Sequence, residues 1–215
     1  MMMDNSDARE QILQKIRSGL KKSEFKTFEG ESLTNLEIYI TPDKALIEIF
    51  EDELTKINGE FISCNNNAEL VEILKKIHAE RNLSVCYSPD HNYLEIIKET
   101  GIPFSEEFVN PDAIKSGISG CEFLVARFGS VMVSSALAGA RRIFSFPEIH
   151  IVIAKEDQLV LEIEEALDGI SHRYGDNLPS QITNITGPSR TADIEKTLIL
   201  GAHGPKQLIV IVVKS

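Results

Sequence analysis

Between residues 41 and 100 the apolar residues switch back and forth between a helical and a strand period. That alternation constrains the fold more than any other feature. Leu46, Ile47, Phe50, Leu54 and Ile57 recur at helical spacing. Thr41-Pro42 ahead of them offers a capping hydroxyl and a proline suited to a first helical position, and Gly59 ends the run. A strand is predicted over 60–64. A second helix follows over 67–80, with Leu70, Val71, Leu74 and Ile77 inward, then a strand over 83–87 and a helix over 89–100. Helices and strands in strict turn predict an α/β fold with a parallel sheet covered on both faces.

Beyond residue 115 the spacing tightens. Strand-like runs at 122–126, 130–134 and 149–154 are separated by short connections of Gly, Ser and Arg, too short for a helix in every gap. A mixed sheet with hairpin neighbours is therefore expected. A helix is predicted over 158–168, a polar loop over 171–180, and strands over 181–186 and 208–213. At the other end, Ile12, Leu13, Ile16 and Leu20 mark a helix over 6–21, followed by a polar stretch without a period. The expected organisation is an N-terminal helix and linker over 1–35 and one α/β domain over 36–215. The first helix is left to pack loosely or on another subunit, so a homo-oligomer is among the expectations.

The chain has 215 residues and a net charge of −11, which disfavours a nucleic-acid partner because phosphate backbones need a basic face. The opening Met1-Met2-Met3-Asp4 is not a secretory leader, and no apolar run reaches membrane-spanning length. A cytoplasmic protein is expected. Cys64, Cys86 and Cys121 are odd in number and far apart, which excludes a full disulfide framework. They read as buried small hydrophobes in a reducing compartment. No cysteine–histidine cluster has metal-site spacing, and neither standard nucleotide loop is present, so no metal site is expected.

Two C-terminal segments carry the strongest chemical signal. In Gly187-Pro188-Ser189-Arg190-Thr191-Ala192-Asp193-Ile194-Glu195 a strand runs into a Gly-Pro turn and then a helix-like stretch. A helix N-terminus there, with the Ser189 and Thr191 hydroxyls and the Arg190 fork, would hold a carboxylate or phosphate. The alternative is a capped helix with Arg190 paired to Asp193 or Glu195. In Leu200-Gly201-Ala202-His203-Gly204-Pro205 two glycines flank a histidine, which would touch a ligand or carry a proton. The alternative is a plain turn with His203 exposed. A third segment, Gly129-Ser130-Val131, joins two apolar runs with small residues that would let a ligand approach the backbone, or would simply close a hairpin. His150, inside an apolar strand, reads as a core residue, and His172-Arg173-Tyr174 falls in the predicted loop, where it would line a cleft or simply be exposed.

The paired C-terminal segments, in this order, resemble the signature of the lactate-utilisation protein C family, the LUD domain. Pro147-Glu148-Ile149-His150-Ile151 resembles that family's Pro-x-x-His-Ile segment, and Gly129-Ser130 falls where the family carries a Thr-Gly-Thr or Thr-Gly-Ser turn. The ordered set covers roughly residues 117–213. The resemblance implies a Rossmann-like mixed sheet flanked by helices, of the CoA-transferase and ribose-phosphate-isomerase type. It implies a part in oxidising L-lactate to pyruvate alongside iron–sulfur lactate-utilisation subunits. This chain would bind no cofactor itself, the clusters residing in its partners. A small anionic ligand would meet Gly187, Ser189, Arg190, Thr191, Asp193, His203 and Gly204, with Gly129 and Ser130 nearby; no catalytic residue is singled out. One departure stands out: the family usually has an acidic residue and a threonine before the central glycine, where this chain has Arg127 and Phe128. Two other readings stay open: a self-sufficient acyl or CoA transferase or sugar-phosphate isomerase on the same fold, and a non-catalytic interaction protein.

Overall fold

A computed structural model describes residues 5–22, 42–108, 114–137, 140–194, 197–201 and 204–214. The chain divides into two compact units, Met1–Thr41 and Pro42–Ser215. The first contains helix α1 (Asn5–Lys22). The polar stretch expected as a linker, and the proposed capping residue Thr41, lie outside the described residues.

The second unit opens with α2 (Leu46–Lys56), β1 (Glu60–Cys64), α3 (Asn67–Glu80), β2 (Val85–Tyr87), α4 (Leu94–Thr100), β3 (Phe104–Ser105) and β4 (Ile114–Ser119). From α2 to α4 this is the predicted alternation, with two shifts; β3 and β4 were not predicted, and β4 lies inside the parallel sheet between β7 and β2. Helix α2 begins after Ala45, which makes no side-chain cap, so Pro42 precedes the helix instead of starting it. Helix α4 starts late because Asp90 and Asn92 form a side-chain-bonded turn in the predicted first part of the helix.

The rest comprises β5 (Phe123–Val125), β6 (Ser130–Ser134), α5 (Ala140–Ile143), β7 (Ile149–Lys155), β8 (Leu159–Val160), α6 (Ile163–Tyr174), β9 (Ile182–Ile185), β10 (Arg190–Ile194), β11 (Thr197–Leu200) and β12 (Gln207–Val213). Among the described residues these strands make three sheets. A six-stranded sheet in the order β1-β12-β7-β4-β2-β3 is parallel at every pairing. A four-stranded sheet, β8-β5-β6-β9, contains the expected hairpin β5–β6 and mixes parallel with antiparallel pairs. The expected mixed arrangement is thus divided between a parallel sheet and a separate mixed one, with the two-stranded ribbon β10–β11 as the third sheet. Strand β7 belongs to the centre of the parallel one, as its unbroken burial from Ile149 to Ala154 requires.

Alternate residues of the central strands feed two cores. Ile149, Ile151, Ile153, Ile209 and Ile211 pack with Leu70, Leu74 and Ile77 of α3 and Ile97 of α4. Val152, Ala154, Leu208, Val210 and Val212 face the other way, against Phe50 and Leu54 of α2 and Leu124, Val131 and Val133 of the second sheet. Helix α6 closes the far side through Ala166 and Ile170. Each fully buried Leu, Ile or Val contributes about 1.5–3 kcal/mol, so this double-sided strand pair is the energetic centre of the fold.

Two predicted stretches change type. The helix expected over 158–168 is displaced to Ile163–Tyr174: Leu159 and Val160 pair with β5, and a capping box between Glu162 and Glu165 starts the helix later. His172, Arg173 and Tyr174 therefore close a helix and are not in a loop. The run after Gly187 is not helical. Its β-branched residues form the antiparallel ribbon β10–β11, in register Arg190 with Leu200 and Thr191 with Ile199.

Candidate functional sites at the two edges of the sheet

The sequence-named segments gather at the amino edge of the parallel sheet, where β7 and β12 begin. The Ser189 N–H donates to the Pro205 carbonyl at 2.8 Å, and the Gly201 N–H donates to the Ser189 carbonyl at 2.9 Å. The two Gly-containing turns are thereby tied together. A side chain on Gly204 would place its Cβ 3.2 Å from that of Ser189. A shallow cavity of about 500 Å³ opens here, lined by Phe146, Pro147, Glu148, Gly201, Gly204 and Lys206 among others. Lys206 and Glu148 pair across its rim at 3.4 Å.

Gly187 has φ +81°, a left-handed conformation that side chains disfavour, and any Cβ there would sit 2.7 Å from the Ile57 carbonyl. The same Cβ would lie 3.4 Å from the Arg190 guanidinium, so Arg190 folds back over the turn. Arg190 is exposed and opens β10, not a helix, which removes the helix-terminus component of the predicted anion site. Thr191 and Asp193 lie along β10, whose register shifts between Thr191 and Ile194. His203 lies outside the described residues.

At the central turn, Gly129 has φ +57° and its backbone abuts α2. A Cβ would overlap the Leu54 backbone nitrogen, so the close approach that glycine permits is made by a helix. Ser130 is buried, and its hydroxyl meets that of Thr186 at 3.2 Å, linking the central turn to the residue before Gly187. Arg127 donates to Glu162 at 2.8 Å, pinning the turn to the start of α6. Phe128 is exposed. The departure from the family pattern is thus accommodated by an ion pair between two elements of the scaffold.

His150 is fully buried, with Nε2 2.9 Å from the Ser119 hydroxyl and Nδ1 without a hydrogen-bond partner. Burial pushes its pKa down to about 4, so it is a neutral imidazole in the core, as the sequence suggested. All three cysteines are buried, and burial raises each thiol, Cys86 to about 12. They are thiols, not nucleophilic thiolates.

At the opposite, carboxyl edge lies a cavity of about 660 Å³, lined in part by Arg173 of the triplet expected to line a cleft or be exposed. Beside it is a buried carboxylate. Glu122 is fully buried and accepts from the Ser134 hydroxyl at 2.5 Å, from the Tyr174 hydroxyl at 2.7 Å and from Arg173, whose guanidinium also lies 5.3 Å from the Phe123 ring centroid. Such a charge is tolerated in a core only with this degree of pairing. An acid heading an apolar run and a His-Arg-Tyr triplet were both visible in the sequence, but nothing local connects residues about fifty positions apart.

Comparison with known proteins agrees with this architecture. The LUD domain family model matches residues 47–213, and the chain belongs to that family. It is 33% identical over 109 residues to an uncharacterized protein of Neisseria meningitidis, covering 51% of this chain and 45% of the relative. It is 31% identical to lactate utilization protein C of Deinococcus radiodurans, over 47% of this chain and 48% of that protein. These two matches span about half of the relatives' length. A longer match, 27% identical, covers 78% of this chain and 79% of lactate utilization protein C of Oceanobacillus iheyensis. The fold is shared with the crystal structure of a DUF162 family protein from Deinococcus radiodurans, at TM-score 0.58 and 19% identity, covering 78% of this chain and 96% of that one. Among the described residues no helix is long and apolar enough to cross a membrane.

Proposed function

We propose that this chain is the LUD-domain subunit of a lactate-utilisation system. In this reading it acts with iron–sulfur partner proteins that oxidise L-lactate to pyruvate, the clusters residing in the partners. The observation that carries the reading is the similarity to lactate utilization protein C across most of both chains. A small carboxylate is held at the amino edge by Arg190, helped by Ser189, Thr191 and nearby N–H groups, in a pocket that Asp193, His203 and Gly204 line. The meeting of the two signature turns, and the way Arg190 folds over Gly187, support that placement.

The test is co-purification of the chain with candidate iron–sulfur proteins, followed by an assay of L-lactate oxidation by the assembly and by each component alone. The reading expects activity only when the chain and its partners are combined. Undiminished oxidation by the partners without this chain would sink it. Turnover by the chain alone would replace it with the stand-alone enzyme.

A further inference from the structure

The carboxyl-edge cavity sits at a defined topological position. In the order β7-β4-β2-β3, the chain leaves β2 for β3 on one side, whereas after β4 it passes through β5 and β6 of the second sheet and rejoins the parallel sheet at β7, on the other side. Where neighbouring parallel strands send their connections opposite ways, a crevice opens between the loops at their carboxyl ends, and open α/β sheets bind ligands there.

This crevice is held in shape by side chains. Asp90, after β2, is 3% exposed and accepts from the Gly120 N–H after β4 at 3.2 Å. It also accepts from the Asn92 backbone at 3.1 Å and the Asn92 side chain at 2.9 Å. The Tyr93 hydroxyl donates to the Ile153 carbonyl of β7 at 3.0 Å, adding a third strand. Asp90 is thus occupied in joining the two loops, leaving other groups to meet a ligand.

Two cations line the cavity. Lys155 ends β7 and makes no ion pair among the described residues. Arg173 is fixed by Glu122 through one nitrogen, Nη1, and by Phe123; among the described residues its Nε and Nη2 have no hydrogen-bond partner. The rest of the wall is mixed: the Asp157 carboxylate, the Asn67 and Asn92 amides, and the apolar Ile96 and Leu137. About 660 Å³ falls within the range of small-molecule and cofactor sites and far exceeds what a three-carbon acid needs.

We propose that this cavity binds a phosphorylated ligand of mononucleotide size. Its phosphate meets Lys155 and Arg173, its hydroxyls meet Asp157 and the two amides, and its ring lies against Ile96 and Leu137. A wall offering cations, a carboxylate and an apolar patch fits such a molecule better than it fits a simple dianion. The proposal goes beyond the lactate reading, whose ligand sits at the other edge.

The test is calorimetric titration of the full chain, without lactate or partners, using AMP and flavin mononucleotide, with adenosine and inorganic phosphate as separate arms. Saturable binding of at least one nucleotide is expected. Lys155→Ala should weaken it at least about tenfold, as loss of a charged hydrogen bond does. Ile96→Trp, which fills the cavity, should abolish it, and Arg190→Ala should leave it unchanged. Circular dichroism and unfolding midpoints verify that each variant is folded. No saturation with either nucleotide overturns the proposal, as does binding that survives both cavity variants or is lost in Arg190→Ala. Adenosine binding as tightly as AMP overturns the role of the two cations, and phosphate binding as tightly as AMP overturns the ligand class. Because lactate oxidation is not measured here, failure of this site and failure of the lactate reading are separable.

Discussion

The two edges of the parallel sheet are built in opposite ways. The amino edge is made by backbone: glycines at 129, 187 and 204 let a helix, a carbonyl and a neighbouring turn approach closely, and main-chain hydrogen bonds tie the turns together. The carboxyl edge is made by side chains: Asp90, Glu122, Arg173 and Tyr93 reach between elements and leave a cavity. Tight backbone packing tolerates no added atom, whereas a side-chain network tolerates changes in proportion to what each group neutralises. The edges should therefore respond differently to mutation.

The largest effect is expected at the backbone-built edge. Gly129→Ala adds a Cβ that overlaps α2 at a left-handed position and should cost about 4 kcal/mol of stability in urea unfolding. A loss below about 1 kcal/mol would show that α2 can shift freely. Next, Arg173→Ala leaves the fully buried Glu122 carboxylate with only its two hydroxyl donors, and should cost about 3 kcal/mol in the same measurement. A neutral result would mean that Ser134 and Tyr174 suffice, and that the carboxyl-edge network is looser than its geometry implies.

A third effect depends on pH. The folded-state pKa of His150 is depressed to about 4, while the unfolded chain titrates near the ordinary value of about 6.5. Above the unfolded value neither state binds a proton. As pH falls toward 4 the unfolded chain protonates first, so stability is lost on acidification. This group alone makes the protein about 2 kcal/mol less stable at pH 5 than at pH 7. His150→Gln should flatten that part of the stability–pH curve, and an equally steep curve in the variant would assign the loss elsewhere. The smallest effect concerns function. Arg190→Ala should weaken carboxylate binding by at least about 1.5 kcal/mol while leaving the unfolding midpoint in place, since Arg190 is exposed. Unchanged calorimetric affinity would remove Arg190 from the site.

Local chemistry made much of this molecule legible in its sequence. The alternation over 46–100 predicted its helices and strands because helical and strand periods differ. Gly187, Gly201 and Gly204 marked turns that are turns, and His150 read as a core residue because it alternates within an apolar strand. The stretch after Gly187 misled because a turn followed by polar residues starts helices and hairpins alike; its β-branched residues were the unused signal. Residues 149–154 were legible as a strand but not by sheet, since pairing partners are chosen by tertiary packing.

The sequence by itself thus determined the layered α/β class, the buried histidine and cysteines, and the glycine turns at one edge. Each depends on periodicity or on the conformational needs of a few adjacent residues. Only the tertiary structure decided that β7 lies centrally, that Asp90 joins the loops after β2 and β4, and that Glu122 meets Arg173 and Tyr174 beside a cavity. Those arrangements join residues thirty to fifty positions apart. Crossover connections bring such residues together, and no local pattern in the chain records the meeting.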